Sequence, residues 1–304
     1  MSYPGLFKDH ILPESLTHLS VSFLVRDLHK RRGGTAANIA YNLALLGEKP
    51  LLVGSVGADF VEYGESLHRL GIDLNSVRRI DGEYTASFFG TADEKGNQLA
   101  FFYPGAMRWE NAVHLLEIPP EADALVIVSP NDPRTMMLHI SECKKAGIRF
   151  IFDPGQQTAS LSGDELVEGM TGAMCLIVNE YEMDMLCNKT GLSEEAFLEK
   201  TDTIIVTLGE KGARVRNTEG VAKIPAAKPE ILKDPTGVGD AFRGGLAKGL
   251  SMGLSWETAG RMGSLAAVYV LETDGPQSHV YDWENFSARY ADTFGGAGEL
   301  HQNG

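Results

Sequence analysis

Short runs of apolar residues alternate with stretches whose apolar positions recur at helical spacing through most of the chain. Leu51-Leu52-Val53-Gly54, Ala124 to Ser129, Arg149 to Asp153, Met174 to Val178 and Thr203 to Thr207 each predict a strand. Between them the pattern predicts helices from about Asp59 to Leu70, Pro133 to Ala146, Tyr181 to Cys187 and Ser193 to Lys200. Apolar runs this short, with helices between them, imply right-handed crossovers and a parallel sheet covered on both faces. Beyond Gly237 the pattern is helical, over Val238 to Met252, Ser255 to Val270 and Asp282 to Tyr290, and the glycine-rich end from Gly295 predicts a frayed tail. Residues 16–26 and 84–103 depart from this alternation. Thr85 to Thr91 and Leu99 to Tyr103 flank Asp93-Glu94-Lys95-Gly96-Asn97, a turn sequence, so 84–103 predicts a β-hairpin. A hairpin projecting from an α/β core can serve as a lid or be an ordinary edge hairpin.

With 304 residues and no repeat or low-complexity linker, one large domain with a small lid is expected rather than two independent domains. Composition narrows the partners. There are 27 Lys and Arg against 41 Asp and Glu, a formal charge of −14, which disfavours charge-driven binding to nucleic acid or anionic lipid. The 3 cysteines, Cys143, Cys175 and Cys187, lie in predicted helix or strand without metal or redox spacing. With no signal-peptide pattern after Met1-Ser2-Tyr3-Pro4-Gly5, a cytoplasmic location is expected. The 34 glycines either punctuate turns or let backbone approach a ligand.

The densest chemical signal is Asp234-Pro235-Thr236-Gly237-Val238-Gly239-Asp240-Ala241-Phe242-Arg243-Gly244-Gly245. Gly-x-Gly-Asp opens a long helix there, so unpaired amides at its positive end form an anion site. Gly237 and Gly239 would leave room for a phosphoryl group, and Asp240 in the first turn could accept a proton from an attacking hydroxyl. The plainer reading makes Asp240 a helix cap and the glycines a turn. Asp234, Thr236 and Gly244-Gly245 around the motif favour the functional one.

Asp-x-Thr-Gly-x-Gly-Asp-Ala-Phe-x-Gly-Gly resembles the C-terminal signature of the ribokinase-like (PfkB) family of carbohydrate and nucleoside kinases. Gly33-Gly34-Thr35-Ala36-Ala37-Asn38-Ile39-Ala40, followed by Leu45-Leu46-Gly47 and Val56-Gly57-Ala58-Asp59-Phe60, resembles its N-terminal signature. The resemblance covers nearly the whole chain. Tyr103-Pro104-Gly105-Ala106-Met107 and Phe152-Asp153-Pro154-Gly155-Gln156 look most like bacterial members described as adenosine or nucleoside kinases. The implied fold has three α/β/α layers with a mainly parallel central sheet and a small β-sheet lid. On this basis residues 1–304 form a single kinase domain, with lid segments at about 1–30 and 82–105.

The resemblance also implies roles where residues match. Asp240 corresponds to the catalytic base, and the amides of Gly237, Val238 and Gly239 to the anion hole for the transferred phosphoryl. Asn179-Glu180-Tyr181-Glu182 matches an N-x-x-E motif in which Glu182 helps organise Mg2+; read alone, Glu182 is a solvated helix residue. Thr207, Gly209 and Gly212 match a T-x-G-x-x-G turn that receives the nucleotide, and Thr236 and Arg243 are expected to bind it as well. Arg243 would neutralise phosphate charge or else form a surface ion pair. Gly33, Gly34 and Asn38 match acceptor-binding positions at the lid hinge, where an Asn can hold ribose hydroxyls. Phe101, with Phe88, Phe102 and Tyr103, would either stack on a purine or pack the hairpin face.

One departure stands out. Family members open with a core strand and an Asp that binds sugar hydroxyls, whereas Met1-Ser2-Tyr3-Pro4-Gly5 resembles the position just after that strand. Asp9 and Asp27 lack the matching context, so the expectation is that the N-terminal core strand and its ligand are missing. The expected activity is ATP-dependent phosphorylation of a nucleoside 5′-hydroxyl, adenosine first, with ATP and Mg2+ as cofactors. Potassium activation and homodimers through the lid occur in the resembled family. The alternatives are a kinase of a free sugar such as ribose or fructose, and a non-catalytic nucleoside- or nucleotide-binding protein.

Overall fold

A computed structural model describes residues 1–11, 18, 20–109, 113–119, 123–296 and 299–300. Its centre is a six-stranded sheet in the order β10-β9-β8-β7-β6-β5. The strands are β5 (Leu125–Val128), β6 (Arg149–Phe152), β7 (Cys175–Asn179), β8 (Thr203–Thr207), β9 (Ala213–Asn217) and β10 (Gly220–Ile224). From β5 to β8 neighbours run parallel, and β9 and β10 are antiparallel additions. The sheet is thus mainly parallel, as expected. The β9–β10 pair lay outside the expectation, because two short half-polar runs carry little apolar signal.

Alternate residues of one strand feed opposite cores, as the two-residue period of a strand requires. Leu176 and Val178 of β7 face a cluster with Met136 and Ile140 of α3 (Pro133–Ala146), Leu166 of α4 (Gly163–Met170) and Leu186 of α5 (Glu180–Thr190). Cys175 and Ile177 face Phe242 and Leu246 of α7 (Val238–Ser251) and Ala259 of α8 (Trp256–Leu271). Both faces are covered, which explains why the strands are apolar throughout. Helix α7 lies unusually close to α8: a Cβ on Gly245 would stand 2.6 Å from the Met262 carbonyl oxygen. The double glycine of the signature therefore serves helix packing as well as any ligand. A further core joins α7 and α8 to α9 (Trp283–Phe294).

The N-terminal half differs more from expectation. Where a strand is predicted over 51–54 the structure has β1 (Gly54–Val56), which shares only Gly54 with it and pairs in parallel with an unforeseen β2 (Val77–Arg79). No hydrogen bond joins this pair to the edge of the central sheet among the described residues. The hairpin forms as β3 (Ser87–Ala92) and β4 (Gln98–Tyr103), closed by Asp93, whose Oδ1 accepts from the Lys95 and Asn97 amides. The chain start lies along β3: the Tyr3 amide donates to the Ala92 carbonyl at 2.8 Å. Of the β-rich stretch expected over 16–26, residues 16, 17 and 19 lie outside the described residues, and 20–25 form no strand. Helix α1 (Thr35–Leu45) carries the first signature and packs on α7, and α2 (Val61–Arg69) follows β1. Among the described residues no helix is long and apolar enough to cross a membrane.

Candidate active site

In a parallel sheet with helices on both faces, ligands bind beyond the carboxyl ends of the strands. Three adjacent strands end here on polar residues: Asp153 after β6, Asn179 at the end of β7 and Thr207 at the end of β8. Asn179 and Thr207 are direct register partners, so the N-x-x-E motif and the T-x-G-x-x-G turn meet edge to edge.

The Asn179–Glu182 motif folds locally as a reciprocal cap. Asn179 Oδ1 accepts from the Glu182 amide, and Glu182 Oε2 accepts from the Asn179 amide, both at 2.8 Å. This satisfies two donors at the start of α5 and holds Glu182 in one place. Its other oxygen meets no donor among the described residues. The Gly209–Lys211 turn follows β8. At Gly212, with φ +89°, a Cβ would stand 2.0 Å from the Ile224 carbonyl oxygen, so the missing side chain makes room for neighbouring backbone.

The start of α7 carries most of the expected residues. Gly237 is its N-cap in the left-handed region, φ +84°, and a Cβ there would lie 2.4 Å from Pro276. A Cβ on Gly239 would lie 2.8 Å from Arg243 Nη1. These two glycines were expected to leave room for a phosphoryl group; on the side where a Cβ would stand, the neighbours are Pro276 and Arg243, respectively. A correction concerns the amides. The Val238 N–H donates to the Pro235 carbonyl at 3.3 Å, so the unpaired amides among the described residues are those of Gly237, Gly239 and Asp240. The free N–H groups at this helix end are thus shifted by one residue from those expected. Thr236 sits exposed before it, its amide donating to Asp234 Oδ1 at 2.9 Å. Asp234 Oδ2 accepts from Arg31 at 2.7 Å and from the Gly275 amide at 3.1 Å, tying the residues before the lid hinge to this loop.

Asp240 does not cap its helix by hydrogen bonding to it. Its Oδ2 accepts from Asn38 Nδ2 at 2.7 Å, across 202 residues of sequence. Burial pushes the Asp240 carboxyl above its usual range, while the Asn38 amide and the Arg243 charge pull it back. A carboxylate raised in this way is a better proton acceptor than one in water. Asn38 is 4% exposed, and its Oδ1 accepts from Gln277 Nε2 at 2.8 Å. Gln277 also donates to the Tyr63 hydroxyl at 2.6 Å, which donates to the Gly33 carbonyl at 3.0 Å. Asn38, expected to hold acceptor hydroxyls, is thus already engaged with the expected base. Gly34, φ +105°, is the N-cap of α1 and has open space around it.

Arg243 forms no surface ion pair. It is 9% exposed, and its Nη2 donates at 2.5 Å to Asp153 Oδ1, a residue with no exposed surface. Burial pushes the Asp153 carboxyl up to about 6 against the opposing pull of Arg243, and the Asp240 and Glu182 charges act on the same pair. The hairpin aromatics stand apart from these groups. Phe101 is 70% and Phe88 68% exposed, on opposite faces of β3–β4, and the Phe88 ring lies over Gly90 of the same hairpin.

Asp153, Gln277 and Tyr63 were not anticipated. Asp153 could have been suspected, since it ends a buried strand just before Pro154-Gly155. Gln277 and Tyr63 offered no signal, each being a lone polar residue in an ordinary context.

A part-buried carboxylate beside helix-terminal amides, with a buried guanidinium next to them, at the carboxyl edge of a parallel sheet, is an arrangement suited to phosphoryl transfer. Comparison with known proteins makes this specific. Residues 9–283 match the description pfkB family carbohydrate kinase, and the chain belongs to that family. It is an ATP-dependent kinase with a ribokinase-like fold. A nucleoside kinase from Methanothermobacter thermautotrophicus is 30% identical over 286 residues, 93% of this chain and 91% of that protein. The structure of Burkholderia thailandensis nucleoside kinase in complex with inosine superposes with a TM-score of 0.87 at 37% identity, covering 97% of this chain and 94% of that one. The nucleoside kinase of Methanocaldococcus jannaschii gives a TM-score of 0.84 at 27% identity, over 90% of this chain and 91% of that one.

Proposed function

We propose that the chain transfers the γ-phosphoryl of ATP to the 5′-hydroxyl of a purine nucleoside, adenosine in our reading, and that Asp240 accepts the hydroxyl proton. The observation that carries this is the Asp240 carboxylate, raised by burial, oriented by Asn38 and flanked by the unpaired amides of Gly237 and Gly239. Those amides stabilise charge on the transferred group, and Arg243 adds a fixed positive charge below them. Asn179, Thr207, Gly209 and Gly212 form the strand-end surface for the nucleotide, and Gly33, Gly34 and Phe101 border the acceptor. The hairpin, rooted by Thr85 on Asp59 and Gly57, is the lid that keeps water from the base.

Among the described residues no three His, Cys, Asp or Glu side chains form a metal cage. A single carboxylate oxygen of Glu182, free of protein donors, fits Mg2+ arriving with the phosphates and keeping several waters. When bound, Mg2+ would neutralise phosphate charge. Potassium activation and a homodimer through the exposed hairpin aromatics belong to the same reading, as does a cytoplasmic setting.

The nucleoside assignment draws on the nucleoside kinases to which the chain is similar. Purified protein with ATP and Mg2+ should release ADP faster with adenosine, and secondarily inosine, than with cytidine, ribose or fructose. Asp240→Asn should lower turnover by about 10²–10⁴-fold while ATP still binds. Faster turnover of a free sugar would overturn the acceptor, and wild-type turnover in Asp240→Asn would overturn the base.

A further inference from the structure

Arg243 is held more tightly than a phosphate-binding side chain at a cleft edge needs to be. Its Nη2 is clamped at 2.5 Å by Asp153 Oδ1. Its Nε and Asp153 Oδ2 are buried with no partner, and Asp240 and Glu182 both act on its charge. Such a group cannot swing aside without leaving Asp153 as an uncompensated buried charge. Its Nη1 lies 2.8 Å from where a Cβ on Gly239 would stand. Gly239 has an ordinary negative φ, so backbone conformation does not demand glycine there. What demands it is the guanidinium.

We propose that Asp153 is a positioning residue which fixes the Arg243 guanidinium beneath the anion site, and that Gly239 is glycine to admit that guanidinium rather than to admit the phosphoryl group. This rests on the kinase reading and assigns three residues within it to one unit. Clamped by Asp153, the guanidinium keeps N–H groups unused by protein, in a planar fork that a lysine cannot reproduce. Its charge also acts on Asp240 and Glu182, the two carboxylates nearest the expected phosphates in this reading.

The test is a double-mutant cycle read as kcat and as KM for each substrate, with folding checked by circular dichroism. Gly239→Ala should lower kcat by about tenfold to a hundredfold in the wild-type background, the cost of displacing a catalytic group by about 1 Å. In Arg243→Lys, which retains charge but lacks the fork, adding Gly239→Ala should cost less than about threefold, because the obstructed atoms are gone. Asp153→Asn should lower kcat by about tenfold or more with the nucleoside KM unchanged. Should that variant fail to fold, Asp153→Asn/Arg243→Met withdraws both charges, and adding Gly239→Ala to it should again cost less than about threefold. Equal losses from Gly239→Ala in every background would show that the glycine serves ligand approach and would overturn the proposal, as would wild-type kcat in Asp153→Asn. A wild-type protein inactive with every acceptor would instead overturn the kinase reading on which the proposal rests.

Discussion

Replacing Asn38 by alanine removes the buried amide that donates to the part-buried Asp240 Oδ2 at 2.7 Å. A hydrogen bond to a charged acceptor stabilises the ionised form by about 1.5–3 kcal/mol. At 1.36 kcal/mol per pKa unit, its loss should raise the Asp240 pKa by about one to two units above a value that burial has already raised. The sign follows from which form the amide prefers: it favours the carboxylate, so its removal favours the acid and leaves less base at any given pH. The acid limb of kcat/KM for the nucleoside should therefore move upward by about one to two pH units in Asn38→Ala, measured between about pH 5 and 9, because that parameter reports the free enzyme. Activity at the alkaline plateau should fall less than activity near neutrality. A loss by the same factor at every pH, with the acid limb unmoved, would mean that Asn38 serves the acceptor alone and would refute the orienting role drawn from the geometry. Gln277→Leu gives an internal check, since it frees the Asn38 amide to rotate and should move the limb in the same direction by a smaller amount.

Two expectations concern stability. Asn42, fully buried one turn beyond Asn38, accepts from His279 Nε2 and the Tyr281 hydroxyl, both at 3.0 Å. Asn42→Leu strands two buried donors and should cost about 2–5 kcal/mol in denaturant unfolding, whereas a cost below about 1 kcal/mol would show that the network relaxes freely. His279 itself is held neutral by burial, which pushes its pKa down to about 4. The unfolded chain takes up a proton there near pH 6.5 and the folded one does not, so stability should fall as pH drops from about 6.5 towards 4, by up to about 3 kcal/mol. His139, pushed down by burial as well, acts in the same direction. Unfolding free energies across that window, compared between wild type and His279→Gln, should show a shallower slope in the variant; identical slopes would dismiss the assignment.

The central strands, the helices over α3 and α7, and the hairpin were legible because each is written locally. A run such as Cys175-Leu176-Ile177-Val178 buries both faces, and the 93–97 turn carries its own chemistry. The start of α7 at Gly237-Val238 and the place of Asp240 in its first turn were legible for the same reason, since a glycine-flanked carboxylate opening a long helix is a local pattern. Other features were beyond local reading. The short β1, β2, β9 and β10 are half-exposed and owe their strand geometry to their neighbours.

By itself, then, the sequence determined the alternation of strand and helix, the two signatures and the candidate base, Asp240. Only the tertiary structure decided what surrounds that base. Asn38 and Gln277 lie 239 positions apart yet share a hydrogen bond, and Arg243 reaches an Asp153 that is 90 positions away. The packing of α1 on α7, and the shared core of α7 and β6, place those groups within 3 Å of one another, and a buried polar group must take whichever partner the packing supplies. For that reason the amide expected to hold a sugar is engaged with Asp240, and a side chain at Gly239 would meet an arginine.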